Sequence, residues 1–192
     1  QEVHGDKIIG LCAKHMKLEG RLKNDVAVGT VLSNIGLEVF LKNNGIKLVR
    51  VKVGDRYVLE KMLELNASVG GERSGHVIFL DKSTTGDGII TALETISVMI
   101  KSGKKLSELA DEIPDYPQIM INVKTKNKLV VEHEEVKKLI EKYKREDVDI
   151  VVRPSGTEPL VRVFVQGPNE EYISNAAYDI AGKIEELSKG ED

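Results

Sequence analysis

Pro114-Asp-Tyr-Pro117 constrains the fold more than any other stretch of the chain. Two prolines in four residues remove two backbone donors and push their neighbours out of the helical region, so neither a helix nor a central strand can run through. A length of 192 residues suits one large domain or two small ones. The break favours two, residues 1–113 and 118–192, joined by a linker at 114–117.

The two halves carry different patterns. In the first, Gly5-Asp6-Lys7 leads into Ile8, Ile9, Leu11, Cys12 and Met16, the spacing of a helix that Gly20 closes. Val26 to Val31 reads as a buried strand, Ser33 as the N-cap of a helix over Ile35 to Lys42 ended by Gly45, and Ile46 to Val51 as the next strand. That succession predicts a βαβ unit with parallel pairing. A helix from Asp55 or Tyr57 to Leu65 and a strand at Val77-Ile-Phe-Leu follow. Ile89, Ile90, Leu93, Ile96, Val98, Met99 and Ile100 predict an apolar helix lying in the core, and Ser107 to Ile113 a short helix stopped by Pro114. In the second half, strands are expected at Gln118 to Val123, Asp149 to Val152 and Val161 to Val165, with helices at His133 to Tyr143 and Tyr172 to Leu187. This is a small α+β domain with its helices on one side of a sheet.

Composition removes several classes of function. With 28 Lys+Arg against 31 Asp+Glu and no Trp, the chain offers neither a basic footprint nor stacking platforms, so nucleic acid is not expected as a partner. No apolar run approaches a membrane span and the start lacks a signal-peptide pattern. The single cysteine, Cys12, sits among apolar residues as a buried structural thiol, which suits a reducing cytoplasmic setting.

Arg153-Pro-Ser-Gly-Thr-Glu-Pro-Leu-Val-Arg162 carries the strongest chemical signal. Its Ser155-Gly156-Thr157 turn can aim backbone N–H groups and hydroxyls at one anion, with Gly156 accepting angles that a Cβ would resist. Arg153 and Arg162 flank it with guanidinium forks that match phosphate oxygens. The same residues also fit an ordinary hairpin turn with two solvated arginines. A second constellation is Gly70-Gly-Glu-Arg-Ser-Gly-His76, where glycines hold Glu72 and Ser74 on a loop that a ligand can approach closely. Glu72 can accept from two vicinal sugar hydroxyls and Ser74 can add a third bond; a ligand-free polar turn is the alternative. His76 is a candidate proton carrier, or a hydrogen-bonded structural histidine.

Gly71 to His76, Val53-Gly-Asp-Arg-Tyr-Val58, Thr84-Thr-Gly-Asp-Gly88 and Arg153 to Pro159 occur in the order and spacing of the α-D-phosphohexomutase family, which the whole chain resembles. The wording at Thr30 to Leu37, Lys52 to Met62 and Arg153 to Val163 is most similar to its amino-sugar branch. The resemblance covers only the C-terminal half of a family member. It implies an α/β sandwich domain with a mixed sheet, then a small α+β domain of TATA-binding-protein-like form.

The resemblance also implies an isomerase that interconverts hexosamine 6-phosphate and 1-phosphate through a phosphoserine. Mg2+ is the implied metal of the full-length enzyme, and a hexosamine 1,6-bisphosphate its intermediate and activator. Glu72 and Ser74 would read the sugar, and Arg153, Ser155, Gly156, Thr157 and Arg162 would hold the phosphate not being transferred. His76 matches a proton-transfer position, while Asp55 and Arg56 occupy a cleft-facing family loop or serve as a helix cap and salt bridge. The family's nucleophile-serine and magnesium loops have no counterpart here, and Thr84 to Gly88 has one carboxylate where the metal loop has three. The chain is therefore expected to be inactive alone, with a phosphorylated hexosamine and the missing N-terminal domains as partners. A homodimer is compatible with this, and no membrane or nucleic-acid partner is implied. Arg73 departs from the Gln of the amino-sugar branch, which keeps phosphomannomutase or phosphoglucomutase fragments open. A stand-alone sugar-phosphate binding module is the reading from another class.

Overall fold

The structure, a computed structural model, describes residues 2–189, and its contacts divide the chain into units of residues 1–115 and 116–192. In chain order the first unit contains α1 (Gly5–Leu18), β1 (Val26–Thr30), α2 (Ile35–Asn43), β2 (Lys47–Val51) and α3 (Asp55–Leu65). It continues with β3 (Val69–Gly71), β4 (Val77–Phe79), α4 (Gly88–Ser102) and α5 (Leu106–Asp111). Its sheet runs β2-β1-β3-β4, with β1 parallel to both β2 and β3 and β4 antiparallel to β3. The mixed sheet and the parallel βαβ unit are those expected.

Alternation along β1 decides which face packs where. Val26 and Val28 join Val58 and Met62 of α3 on one face. Ala27 on the other joins Ile9, Leu11 and Met16 of α1 and Leu37 and Leu41 of α2. The outcome is three layers with a core on each side of the sheet. Cys12 lies within the second core at 1% exposure, and burial pushes its thiol up to about 12, so it is inert packing.

Three expectations are corrected. The N-cap of α2 is Asn34, not Ser33: Asn34 Oδ1 accepts from Gly36 N–H at 2.8 Å, whereas Ser33 Oγ closes the end of β1 by accepting from Thr30 N–H. Gly70 and Gly71 belong to strand β3, not to a loop. A Cβ on Gly71 would stand 2.2 Å from the His76 carbonyl oxygen, so close backbone approach inside the sheet requires glycine there. Helix α4 does not lie in the core. It packs against α1 and β4 through Val98 and Thr95, while Ile89, Leu93, Ile96 and Ile100 face solvent. One stripe of the helix meets the protein and the opposite, aliphatic stripe is left largely open among the described residues.

The second unit contains β5 (Gln118–Lys124), α6 (Glu134–Tyr143), β6 (Asp149–Pro154), β7 (Leu160–Gln166) and α7 (Glu170–Lys189). Its antiparallel sheet is ordered β5-β7-β6. Val161, Val163 and Val165 of β7, all fully buried, pack with Val136 of α6 and Ile173, Ala177, Ile180 and Ile184 of α7. By the two-residue period Arg162 projects from the opposite face, away from both helices. Strand β6 runs through Pro154, beyond the expected end at Val152, which puts Arg153 inside the ladder.

Candidate functional site

The loop after β3 sits where a sheet of this topology collects ligands. β2 and β3 flank β1 on opposite sides, and the loops after all three parallel strands emerge at the same, carboxyl-terminal edge. Glu72 N–H donates to His76 O at 2.9 Å and Gly75 N–H to Glu72 O at 3.0 Å, closing a tight turn. Gly75 adopts φ +104°, a conformation a side chain would oppose. The turn brings three predicted residues together: His76 Nδ1 lies 3.4 Å from Ser74 Oγ and 4.0 Å from Glu72 Oε2. The His76 side chain is 65% exposed and that of Glu72 only 13%, so the imidazole is free to meet a ligand while the carboxylate is held. What holds it is Gly54 N–H, which donates to Glu72 Oε1 at 2.9 Å. The other oxygen, Oε2, is the one nearer His76.

Gly54 also explains the Asp55 and Arg56 segment. The N-cap of α3 is Gly54, Asp55 Oδ1 accepts from Arg56 N–H, and the exposed Arg56 guanidinium pairs with Glu60 one turn along. The link to the Glu72 loop runs through a backbone amide, and neither Asp55 nor Arg56 makes it with its side chain.

Arg73 was not among the predicted site residues, yet it anchors this loop. Its guanidinium donates to Asp115 at 3.0 and 3.3 Å, lies 3.0 Å from His4 Nε2 and 3.6 Å from Asp6 Oδ2. Gly5 N–H completes the attachment by donating to Arg73 O at 2.9 Å. Asp6 is fully buried, and that burial raises its pKa although Asn34 N–H donates to it. Burial also pushes Asp115 upward, but the Arg73 hydrogen bonds and charge outweigh this and hold it below the ordinary value. His4 is shifted down by burial and then by Arg73, while Asp115, 3.3 Å from its Nε2, acts the other way. These partners are 42 to 69 residues from Arg73 in sequence, and no local pattern could have joined them.

In the second unit Arg153 and Arg162 are direct cross-strand partners, facing each other from β6 and β7. Like charges so placed repel. Burial and then the Arg162 charge lower the pKa of Arg153, and among the described residues no acidic group pairs with it. Arg162 pairs with Glu158 at 2.8 Å, but its Nε is buried with no hydrogen-bond partner. The turn between them is built from within. Ser155 is buried at 4% exposure, its N–H donates to Leu160 O, and its Oγ accepts from Glu158 N–H at 3.3 Å. Lys128, absent from the predicted set, donates to Ser155 O and pins the turn from a neighbouring 3-10 segment. Gly156 does not have the special backbone angles expected of it: its φ is not positive, and a Cβ there would meet nothing within 4 Å. Gly156 and Thr157 are instead exposed, leaving open space above the turn.

Thr84 to Gly88 has another task. Asp87, its one carboxylate, caps α4 by accepting from Ile89 N–H at 2.8 Å and Ile90 N–H at 3.0 Å. Among the described residues no group of three His, Cys, Asp or Glu side chains is placed to hold a metal ion. None of their helices is long and apolar enough to cross a membrane.

Comparison with known proteins bears on the fold of both units. Residues 4–116 match the family described as "Phosphoglucomutase/phosphomannomutase, alpha/beta/alpha domain III", and residues 120–183 its "C-terminal domain". Phosphoglucosamine mutase of Thermosipho africanus is 58% identical over 97% of the chain, and that of Thermotoga maritima 54% identical over 95%. The chain spans 43% of the length of each. An Aspergillus fumigatus N-acetylphosphoglucosamine mutase solved with GlcNAc-6P and magnesium shares the fold at TM-score 0.79 and 18% identity, over 96% of this chain and 47% of that one. With its α/β unit and its C-terminal unit each matched in turn, the chain belongs to the phosphoglucomutase/phosphomannomutase family, the α-D-phosphohexomutases.

Proposed function

We propose that this chain is the sugar- and phosphate-gripping portion of a cytoplasmic phosphoglucosamine mutase, which interconverts glucosamine 6-phosphate and glucosamine 1-phosphate. The observation that carries the reading is the Arg153–Arg162 pair: two guanidinium groups opposed across a ladder, one without an acidic partner and the other with an orphaned Nε. A dianionic phosphate would neutralise the repulsion and satisfy the free donors together. The exposed Gly156 and Thr157 would add backbone N–H groups and a hydroxyl, while Ser155 keeps the turn in shape.

Glu72, through Oε2, and Ser74 would accept from and donate to ring hydroxyls, and His76 would move a proton at its exposed ring. Holding the remote phosphate orients the other end of the sugar, so its binding energy serves transfer. Among the described residues no group of carboxylates and histidines fits a magnesium site, and the one carboxylate of the Thr84 to Gly88 motif is committed to a helix cap. Phosphoryl transfer, through a phosphoserine and a bisphosphorylated sugar, is accordingly assigned to the part of the relatives outside the matched segment.

Titration calorimetry of the chain with glucosamine 6-phosphate tests this. Arg153→Ala and Arg162→Ala are each expected to weaken binding at least tenfold, about 1.4 kcal/mol. Unchanged affinity in both variants would remove the phosphate site. Turnover by the 192-residue chain alone would refute the division of labour.

A further inference from the structure

The outer stripe of α4 is unlike an ordinary surface. Ile89 (75% exposed), Leu93 (62%), Ile96 (48%) and Ile100 (76%) recur at intervals of four, three and four residues and so share one narrow arc of the helix. Between Gly88 and Ile100 the only charged residue is Glu94, which is engaged by Arg21 at 3.1 Å. A solvated helix face normally carries charges, and an uncharged aliphatic one marks a contact surface.

Its size decides what covers it. The stripe is about 17 Å long at ~1.5 Å per residue, so its footprint reaches only a few hundred Å2 even with its flanks. A stable pairing of separate chains buries roughly 800 Å2 on each partner. A second copy is therefore too weakly held by this face. A segment of the same polypeptide is not, because covalent connection supplies an effective concentration in the millimolar range. Relatives carry such material, more than half of each lying outside the matched segment.

Resting on the reading of the chain as part of a longer mutase, we propose that the α4 stripe is the seat of an uncharged aliphatic face from the remainder of the same polypeptide. That contact fixes the first unit against the part that performs the transfer.

The test uses Leu93→Cys and Ile96→Cys, labelled with maleimide, with Leu63→Cys on α3 (58% exposed) as the control. Buried Cys12 stays in place as a silent thiol. Rates are measured in the 192-residue chain and in the chain joined to the portion of Thermotoga maritima phosphoglucosamine mutase outside its matched segment. Positions 93 and 96 are expected to label at least tenfold more slowly in the joined protein, with the control unchanged; equal rates overturn the proposal. Slow labelling of the 192-residue chain that speeds up on dilution assigns the face to a second copy and also overturns it. Ile96→Glu supplies an independent readout, lowering the melting temperature of the joined protein but not that of the chain alone. A joined protein that shields the stripe but lacks mutase turnover removes the functional reading and leaves the seat standing. Turnover with an open stripe does the reverse.

Discussion

Arg153 and Arg162 occupy directly opposed positions on β6 and β7, so two guanidinium groups meet across one rung of a ladder. Opposed like charges oppose folding, and their presence in the free protein creates demand for an anion. Arg153→Gln is expected to raise the melting temperature of the second unit by about 2–4 °C, from roughly 0.5 kcal/mol of relieved repulsion. The same change should weaken glucosamine 6-phosphate binding at least tenfold. Scanning fluorimetry and calorimetry on one variant check both, and a variant that melts lower and binds equally well contradicts the assignment.

Two glycines separate packing from binding. Gly71→Ala would set a Cβ 2.2 Å from the His76 carbonyl, against backbone that cannot move aside cheaply, and should cost about 3 kcal/mol. Gly156→Ala meets nothing within 4 Å and should stay within about 0.5 kcal/mol of the parent. Urea titration of the two variants reads the difference directly.

Arg73→Gln removes the clamp on Asp115. Arg73 is part-exposed, which keeps the ion-pair contribution small, while buried Asp6 loses its nearby cation. A loss of about 1 kcal/mol is expected. Asp115→Asn should cost a similar amount, and the double variant less than the sum, by about 0.5 kcal/mol or more. Strict additivity would show that the two side chains do not cooperate.

Folding stability should fall on the acid side of neutrality. His4 has its folded-state pKa lowered from 6.5, so the unfolded chain takes up a proton first as the pH drops. Stability supplied by neutral His4 is complete above 6.5 and is lost as pH falls through the lower folded value. Asp115, also lowered in the fold, acts in the same direction further down, from 3.8. Asp6 is raised and opposes them, favouring the fold below 3.8 and losing that contribution as pH rises through its folded value. His4→Gln should make melting temperature less steep against pH just below 6.5, leaving the share that His15, also lowered by burial, supplies there and the slope where the carboxylates titrate; an unchanged profile would exclude His4.

Periodicity made β1, α2, β2, α3 and the strands β5, β6, β7 and α-helices α6, α7 of the second unit legible, because each repeats an apolar face over several turns or rungs, whereas the short 3-10 segment at Lys128–Glu132 gave no such signal. β3 was hidden, since Val69-Gly-Gly has too few side chains to show alternation and its strand identity comes from neighbours on both sides. α4 was recognisable as a helix but not as a half-uncovered one, for apolarity says that a face seeks a partner and not which partner is present. Glu72, Ser74 and His76 could be grouped because one tight turn holds them. The Arg73 clamp and the Lys128 contact with Ser155 could not, because they depend on tertiary closure between distant segments. Arg153 and Arg162 were identified as a pair, yet their opposition in register emerged only with the ladder.

That ladder has a bearing on how the grip can vary. Spacing between the two arginines is set by strand pairing, so residues Ser155 to Pro159 could lengthen or shorten while both guanidinium groups stayed where they are. A slip of one residue along β7 could not be absorbed in this way. It would drive Arg162 into the helix-covered interior and expel Val161, Val163 and Val165, each worth roughly 1.5–3 kcal/mol where it lies. Three valines buried beneath the ladder thus act as the ruler that spaces the two guanidinium groups of the proposed grip.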